Sequence, residues 1–327
     1  MRRRDFIAGL GGAAVWSVAV PAQQPLSVIG MLFGGTEAEE FPPHISAAFR
    51  QGLREHGFAE GRNVEILYRW AETHYDRLPA LAADLARRGV AVIVAAGGVA
   101  PVMAAKSATA TIPIVFISAA DPVELGLVAS LNRPGGNVTG VSILTQAVAS
   151  KRLQLLHEVV PAVSSIGYLV NPASPQVQAQ IGDAEIAAGI LGVRLAILNA
   201  STPGEIEGAF AILAEQRIGA LMTAADPLFF VQRNQLAALT ARYAVPAIYQ
   251  VREMVDAGGL MSYGADLSDV YRLAASFAGR ILKGEKPADL PVQQSTRIDL
   301  VINMKTAKAL GLTIPETLLA TADEVIQ

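Results

Sequence analysis

Short β-branched runs alternate with amphipathic helical stretches along this chain, and the whole alternation occurs twice. The runs predict strands at 26–33, 63–70, 90–96 and 112–117, then again at 165–170, 193–198, 218–223 and 245–250. Helical periodicity fills the gaps at 44–56, 80–88, 176–191, 206–216 and 232–243. Several strands are continuously apolar, as in Val90-Ala91-Val92-Ile93-Val94. That pattern belongs to parallel strands covered on both faces. Alternation of this kind predicts doubly wound α/β sheets.

The two series also match in detail. Ile29-Gly30-Met31-Leu32-Phe33 resembles Ile166-Gly167-Tyr168-Leu169-Val170, and Ile112-Pro113-Ile114-Val115-Phe116 resembles Val245-Pro246-Ala247-Ile248-Tyr249. Both pairs lie about one lobe's length apart. Two similar lobes follow, each with a four-stranded parallel core. The 327 residues, 52% of them hydrophobic, suffice for two such cores. Turn-rich breaks at 132–137 and 257–259 each precede a short strand, at 138–142 and 260–263. A helix at 267–283 then leads to a late strand near 296–303. The chain is expected to cross between lobes more than once, making a multi-strand hinge. The expected boundaries are 26–143 plus 264–290 for the first lobe and 144–263 plus 291–327 for the second.

The first residues read as an address. Arg2, Arg3 and Arg4 precede a short, glycine-rich apolar stretch at 6–20, too short to span a bilayer. Val20 and Ala22 form a small-residue cleavage pair, so residues 1–22 are expected to be an export signal. Arg3-Arg4-Asp5-Phe6-Ile7 looks like a twin-arginine signal, and an ordinary secretory signal fits as well. Cleavage near Ala22 would take the formal net charge from −3 to −5. With no cysteine at that point, no lipid anchor is expected, and a periplasmic location follows.

Function classes fall away in turn. An acidic balance argues against nucleic acid. The chain has no cysteine, which removes disulfides, thiolate nucleophiles and thiolate metal ligands. His44, His56, His74 and His157 show no ligand spacing, and no metal or cofactor is expected. The dinucleotide, P-loop and nucleophile-elbow motifs are missing. What remains is a set of strand ends suited to ligand contact, since open α/β sheets bind beyond their carboxyl edges. They carry Gly34-Gly35-Thr36, Gly97-Gly98-Val99, Ala120-Asp121-Pro122, Asn171-Pro172-Ala173-Ser174 and Ala225-Asp226-Pro227. Asp121-Pro122, Ser174-Pro175 and Asp226-Pro227 each read as N-cap plus first-turn proline. The two aspartates either cap helices or meet a ligand cation. Among the few aromatics, Phe116 reads as core, while the hydroxyls of Tyr249 and Tyr263 suit a cleft.

These stretches, with 120–128, 132–141, 258–264 and 300–307, resemble the tryptophan/tyrosine-type branch of ABC-transporter substrate-binding proteins. The similarity runs from Ile29-Gly30 to Ala322-Asp323-Glu324-Val325-Ile326. The resemblance implies the type I periplasmic-binding fold, with two lobes closing over a ligand and docking on an inner-membrane ABC permease. Contacts would come from the loops after Phe33, Ala96, Ala119, Val170 and Ala224. Members that bind aromatic amino acids carry a hydroxyl-bearing triplet where this chain has Gly97-Gly98-Val99.

The expectation is therefore a monomeric, non-enzymatic binder of an amino acid or an aromatic or other carboxylic acid, serving an ABC importer. A sensor module for a membrane receptor and an exported α/β enzyme are the alternatives. The expected ligand-binding residues are Gly34, Thr36, Gly97, Gly98, Asp121, Asn171, Ser174, Asp226, Tyr249 and Tyr263. Gly98 and Ser174 amides would face an anion, Asp121 and Asp226 an ammonium or hydroxyls, and the two tyrosines an apolar body.

Overall fold

The computed structural model describes residues 26–36, 41–143 and 146–327. The expected signal at 1–22 lies outside them.

The first series gives β1 (Ser27–Phe33), α1 (Pro43–Glu55), β2 (Val64–Trp70), α2 (Leu78–Arg87), β3 (Val92–Ala96), α3 (Val99–Ala108), β4 (Ile114–Ser118) and β5 (Val138–Ile143). The second gives α4 (Gln146–Val159), β6 (Ser165–Val170), α5 (Val177–Leu191), β7 (Arg194–Asn199), α6 (Pro203–Glu215) and β8 (Ala220–Thr223). It continues with α7 (Pro227–Val231), α8 (Arg233–Arg242), β9 (Ala247–Tyr249), α9 (Arg252–Asp256) and β10 (Met261–Ala265). Then follow α10 (Leu267–Leu282), β11 (Gln293–Ser295), β12 (Ile298–Asn303), α11 (Met304–Ala309), α12 (Glu316–Thr321) and β13 (Glu324–Ile326).

The first sheet has the order β11-β5-β4-β3-β1-β2 and the second β13-β12-β10-β9-β8-β6-β7. Every pairing is parallel except β10 with β12. Both sheets therefore contain one doubly wound order, 2-1-3-4-5, with the topological switch beside the first strand. The repeated unit in each lobe has five parallel strands rather than four, and β11 adds a sixth to the first sheet. The short strands at 138–142 and 260–263, read as parts of the joints, are the fifth members. The apolar runs explain why the sheets form: β3 and β4 are buried along their whole length, between helices on both faces.

Three connections pass between the sheets. The first lies between β5 and α4, which packs into the second core through Leu153, Leu155 and Leu156. The second is Asp266, which caps α10 by accepting from the Ser268 and Asp269 amides. That helix returns to the first lobe and packs along α1. The third comes at 296–297. Gly264 and Ala265 pair with Asp299 and Ile298 in the second sheet, and Gln293–Ser295 pairs with Val141–Ile143 in the first. The second and third passages thus fall a few residues later than the sequence boundaries at 263/264 and 290/291. Gln293-Gln294-Ser295 has no apolar period, so only its pairing with β5 reveals its lobe.

Candidate functional site

The carboxyl ends of both sheets face one cavity. The first lobe supplies Gly97 and Gly98 after β3, Ile117–Ala119 at the end of β4, and Ile143 at the end of β5. The second supplies Ala225–Pro227 and Phe230 after β8, Gln250 and Val251 after β9, and Gly264 and Ala265 on β10. Val148 and Arg152 of α4, Gln176, and Leu267 and Tyr271 of α10 complete the wall. Water centres could range over about 140 Å³, roughly ten times what one water needs. The wall is mostly aliphatic and aromatic with a few polar groups, the usual make-up of a small-molecule site.

Asp226 is the polar node on the second lobe's side. Its carboxylate caps α7 by accepting from the Leu228 amide at 3.0 Å. It also accepts from Asn171 Nδ2 at 3.0 Å and from the Ser174 hydroxyl. The fourth donor comes from the other lobe. Tyr75, in the 3₁₀ turn ahead of α2, places its hydroxyl 3.1 Å from both carboxylate oxygens. Burial raises the Asp226 pKa, and these donors oppose the rise. Beside this contact, Pro227 of the second lobe lies against Gly34 and Gly98 of the first. Gly98 has φ 105°, ψ −170°, a region open essentially to glycine. It is the N-cap of α3 and lines the cavity, and no side chain caps the first-turn amides of that helix.

Arg152 was missed by the sequence reading. It lies on the buried stripe of α4, one turn from Val148 and from Leu155 and Leu156, and is only 5% exposed. Its Nε donates to the Val148 carbonyl at 3.4 Å, and no acidic partner meets it among the described residues. Tyr168 is near, but burial holds its hydroxyl up to about 12, so it stays neutral. Burial lowers the Arg152 pKa; a guanidinium nonetheless keeps its charge. A buried, unpaired cation costs several kcal/mol. The available signal was an arginine breaking the apolar face of Val148, Leu155 and Leu156.

The predicted residues are distributed as follows. Gly97, Gly98 and Asp226 line the cavity. Asn171 and Ser174 stand behind Asp226 as its donors, and Gly34 lies at the seam between lobes. Thr36 is half-buried beyond β1 and outside the cavity wall. Asp121 is exposed and lines a neighbouring groove, where it accepts from the Val123 and Glu124 amides. It opens a turn rather than a helix. Ser174 is not an N-cap either, because α5 begins at Val177 with Gln176 in that position.

Both tyrosines require correction. Tyr249 is wholly buried in the second core, its hydroxyl turned to Thr240. Strand alternation sends Tyr263 to the opposite side, near Leu155, Ile298 and Leu318. The aromatic wall is supplied instead by Phe230 and Tyr271.

A second polar contact joins the lobes. His44, in the first turn of α1, places Nε2 3.0 Å from Glu253 Oε1 on α9. The hydrogen bond to Glu253 raises the His44 pKa above its ordinary value of 6.5. The stabilisation is therefore complete below about pH 6.5 and fades as pH rises through the raised value. Thermal melts from about pH 6 to about pH 8 should show a small stability loss that His44→Gln lacks. Parallel profiles for the two proteins would dismiss the contact.

A family model described as ABC transporter substrate binding protein matches residues 43–326. The tyrosine-binding protein of Clostridioides difficile (strain R20291) is 27% identical over 264 residues, 81% of this chain and 75% of that protein. A solved ABC domain from Streptococcus pneumonia in complex with L-Trp is 26% identical. The comparison covers 92% of this chain and 100% of that one, with a TM-score of 0.83. The ligand-free, open structure of a substrate-binding protein with adhesive properties from Clostridium difficile is 25% identical, with the same coverage and a TM-score of 0.65. At equal coverage and near-equal identity, this chain superposes better on the L-Trp complex than on the open form.

Proposed function

Because this chain belongs to the ABC transporter substrate-binding protein family, we propose that it closes its two lobes over a small organic solute held in the cavity between the sheets. The observation that carries this is the cavity itself, bounded by strand ends from both lobes and bridged by Tyr75–Asp226. A solute touching both walls stabilises the closed arrangement, because only there does it make both sets of contacts. The apolar wall suits an amino acid or an aromatic or other carboxylic acid. The tyrosine and L-Trp named for the relatives support the same range.

In this reading the protein acts as a monomer in the periplasm after losing residues 1–22, and delivers its solute to an inner-membrane ABC permease. It performs no chemistry on the solute. Gly97, Gly98 and Asp226 form part of the binding wall, with Asn171 and Ser174 positioning Asp226. A thermal-shift screen of the mature protein over amino acids, carboxylic acids and sugars is expected to find a solute that raises the melting temperature. A folded protein that no solute stabilises would overturn the reading.

Tyr75→Phe tests closure separately. Losing one hydrogen bond between lobes should weaken solute affinity about fivefold through a smaller closed population. Calorimetry would read the affinity, and small-angle scattering the larger radius of gyration. Unchanged values in both would remove Tyr75 from closure.

A further inference from the structure

Within this capture reading, we infer that the Arg152 guanidinium anchors the carboxylate of the solute, and that the preferred class is an apolar or aromatic monocarboxylate with no ammonium beside the acid group. Arg152 is more than nine-tenths buried yet lines the cavity, and no acidic side chain pairs with it among the described residues. Its unused N–H groups form the planar fork that matches a carboxylate. The uncapped start of α3 at Gly98, also on the wall, adds partial positive charge.

The same wall is poor ground for an ammonium. Asp226 is its one carboxylate among the described residues, and four donors already occupy that group. Ser118 Oγ accepts from the Ala120 amide and Gln250 Oε1 from the Thr223 hydroxyl. Gln176 Oε1 is a buried acceptor without a donor, but it is one neutral atom. It can take a hydroxyl; it cannot replace the water around a cation with three N–H bonds. A second cation would also be repelled by Arg152, and more strongly where water is excluded.

The test compares solutes that differ only by the α-ammonium: butanoate with 2-aminobutanoate, 4-methylpentanoate with L-leucine, 3-phenylpropanoate with L-phenylalanine, and indole-3-propanoate with L-tryptophan. Calorimetry on the mature protein is expected to show at least one carboxylate binding about tenfold or more tighter than its amino acid. Arg152→Met is expected to weaken that carboxylate about a hundredfold or more. The ligand-free variant should melt at the same or a higher temperature, because a buried unpaired charge has been replaced by an apolar side chain. If the variant fails to fold, the wild-type pairs decide alone.

Tighter binding of the amino acids would overturn the inference while leaving solute capture intact. So would a carboxylate affinity unchanged in folded Arg152→Met, or binding confined to uncharged solutes such as sugars. Failure of every solute class would overturn both readings.

Discussion

Asp226→Ala is expected to lower the melting temperature of the ligand-free protein by about 6–12 °C, corresponding to about 3 kcal/mol. The loss follows from what the carboxylate holds. Asn171 Nδ2, the Ser174 hydroxyl, the Leu228 amide and the Tyr75 hydroxyl all converge on it inside a buried site. Alanine leaves these donors without their acceptor and removes the cap of α7. Asp226→Asn should cost less, because one oxygen remains while the new amide group faces donors. Thermal melts by circular dichroism would rank the three proteins as wild type, Asn, then Ala. A loss below about 1 kcal/mol for the alanine variant would show that water replaces the carboxylate readily, and Asp226 would no longer count as the organiser of this wall.

Gly264→Ala should be worse still, at about 4 kcal/mol or more, with little folded protein recovered. A Cβ at this position would lie 1.7 Å from the Gln250 carbonyl oxygen. Backbone cannot yield as a side-chain tip can. The end of β10 would have to leave β9, where Met261 and Ser262 pair with Ile248 and Tyr249. Gly98→Ala is the control. It strains a positive φ, but the nearest atom to its Cβ is 3.8 Å away, so it should cost only about 1–2 kcal/mol. Soluble yield and melting temperature of the two variants would separate close approach from backbone preference. Equal losses would mean that the space at Gly264 relaxes more easily than its geometry indicates.

Most of the architecture was legible because it rests on period and repetition. Continuous apolar runs such as that of β3 marked strands covered on both faces, and the likeness of β1 to β6 marked two similar lobes. Open α/β sheets bind beyond their carboxyl edges, which pointed to the loops carrying Gly97, Gly98 and Asp226, and the fold places all three on the wall of the cavity between the sheets. The pattern also stopped where burial stops. Gln293-Gln294-Ser295 looks like loop, and its sheet membership depends on Val141–Ile143 lying alongside.

Side-chain choices within the site were less legible. Ser118–Pro122 and Thr223–Pro227 are nearly the same pentapeptide, yet one aspartate opens an exposed turn and the other binds the lobes together. Local sequence is equal; the neighbours are not. Tyr249 and Tyr263 sit near strand ends where a cleft is expected, but strand alternation points them away from it. Arg152 is the reverse case. No helix was expected at 146–159, and only the fold shows Arg152 on the buried stripe of α4 and at the cavity wall.

Local periodicity and chain-long repetition determined two similar lobes with parallel, doubly wound sheets, because burial of apolar faces is written into spacing. Tertiary packing alone decided which polar groups find partners within the protein. Hydrogen bonds such as Tyr75 to Asp226 join residues 151 positions apart, and no local signal encodes a partner at that distance.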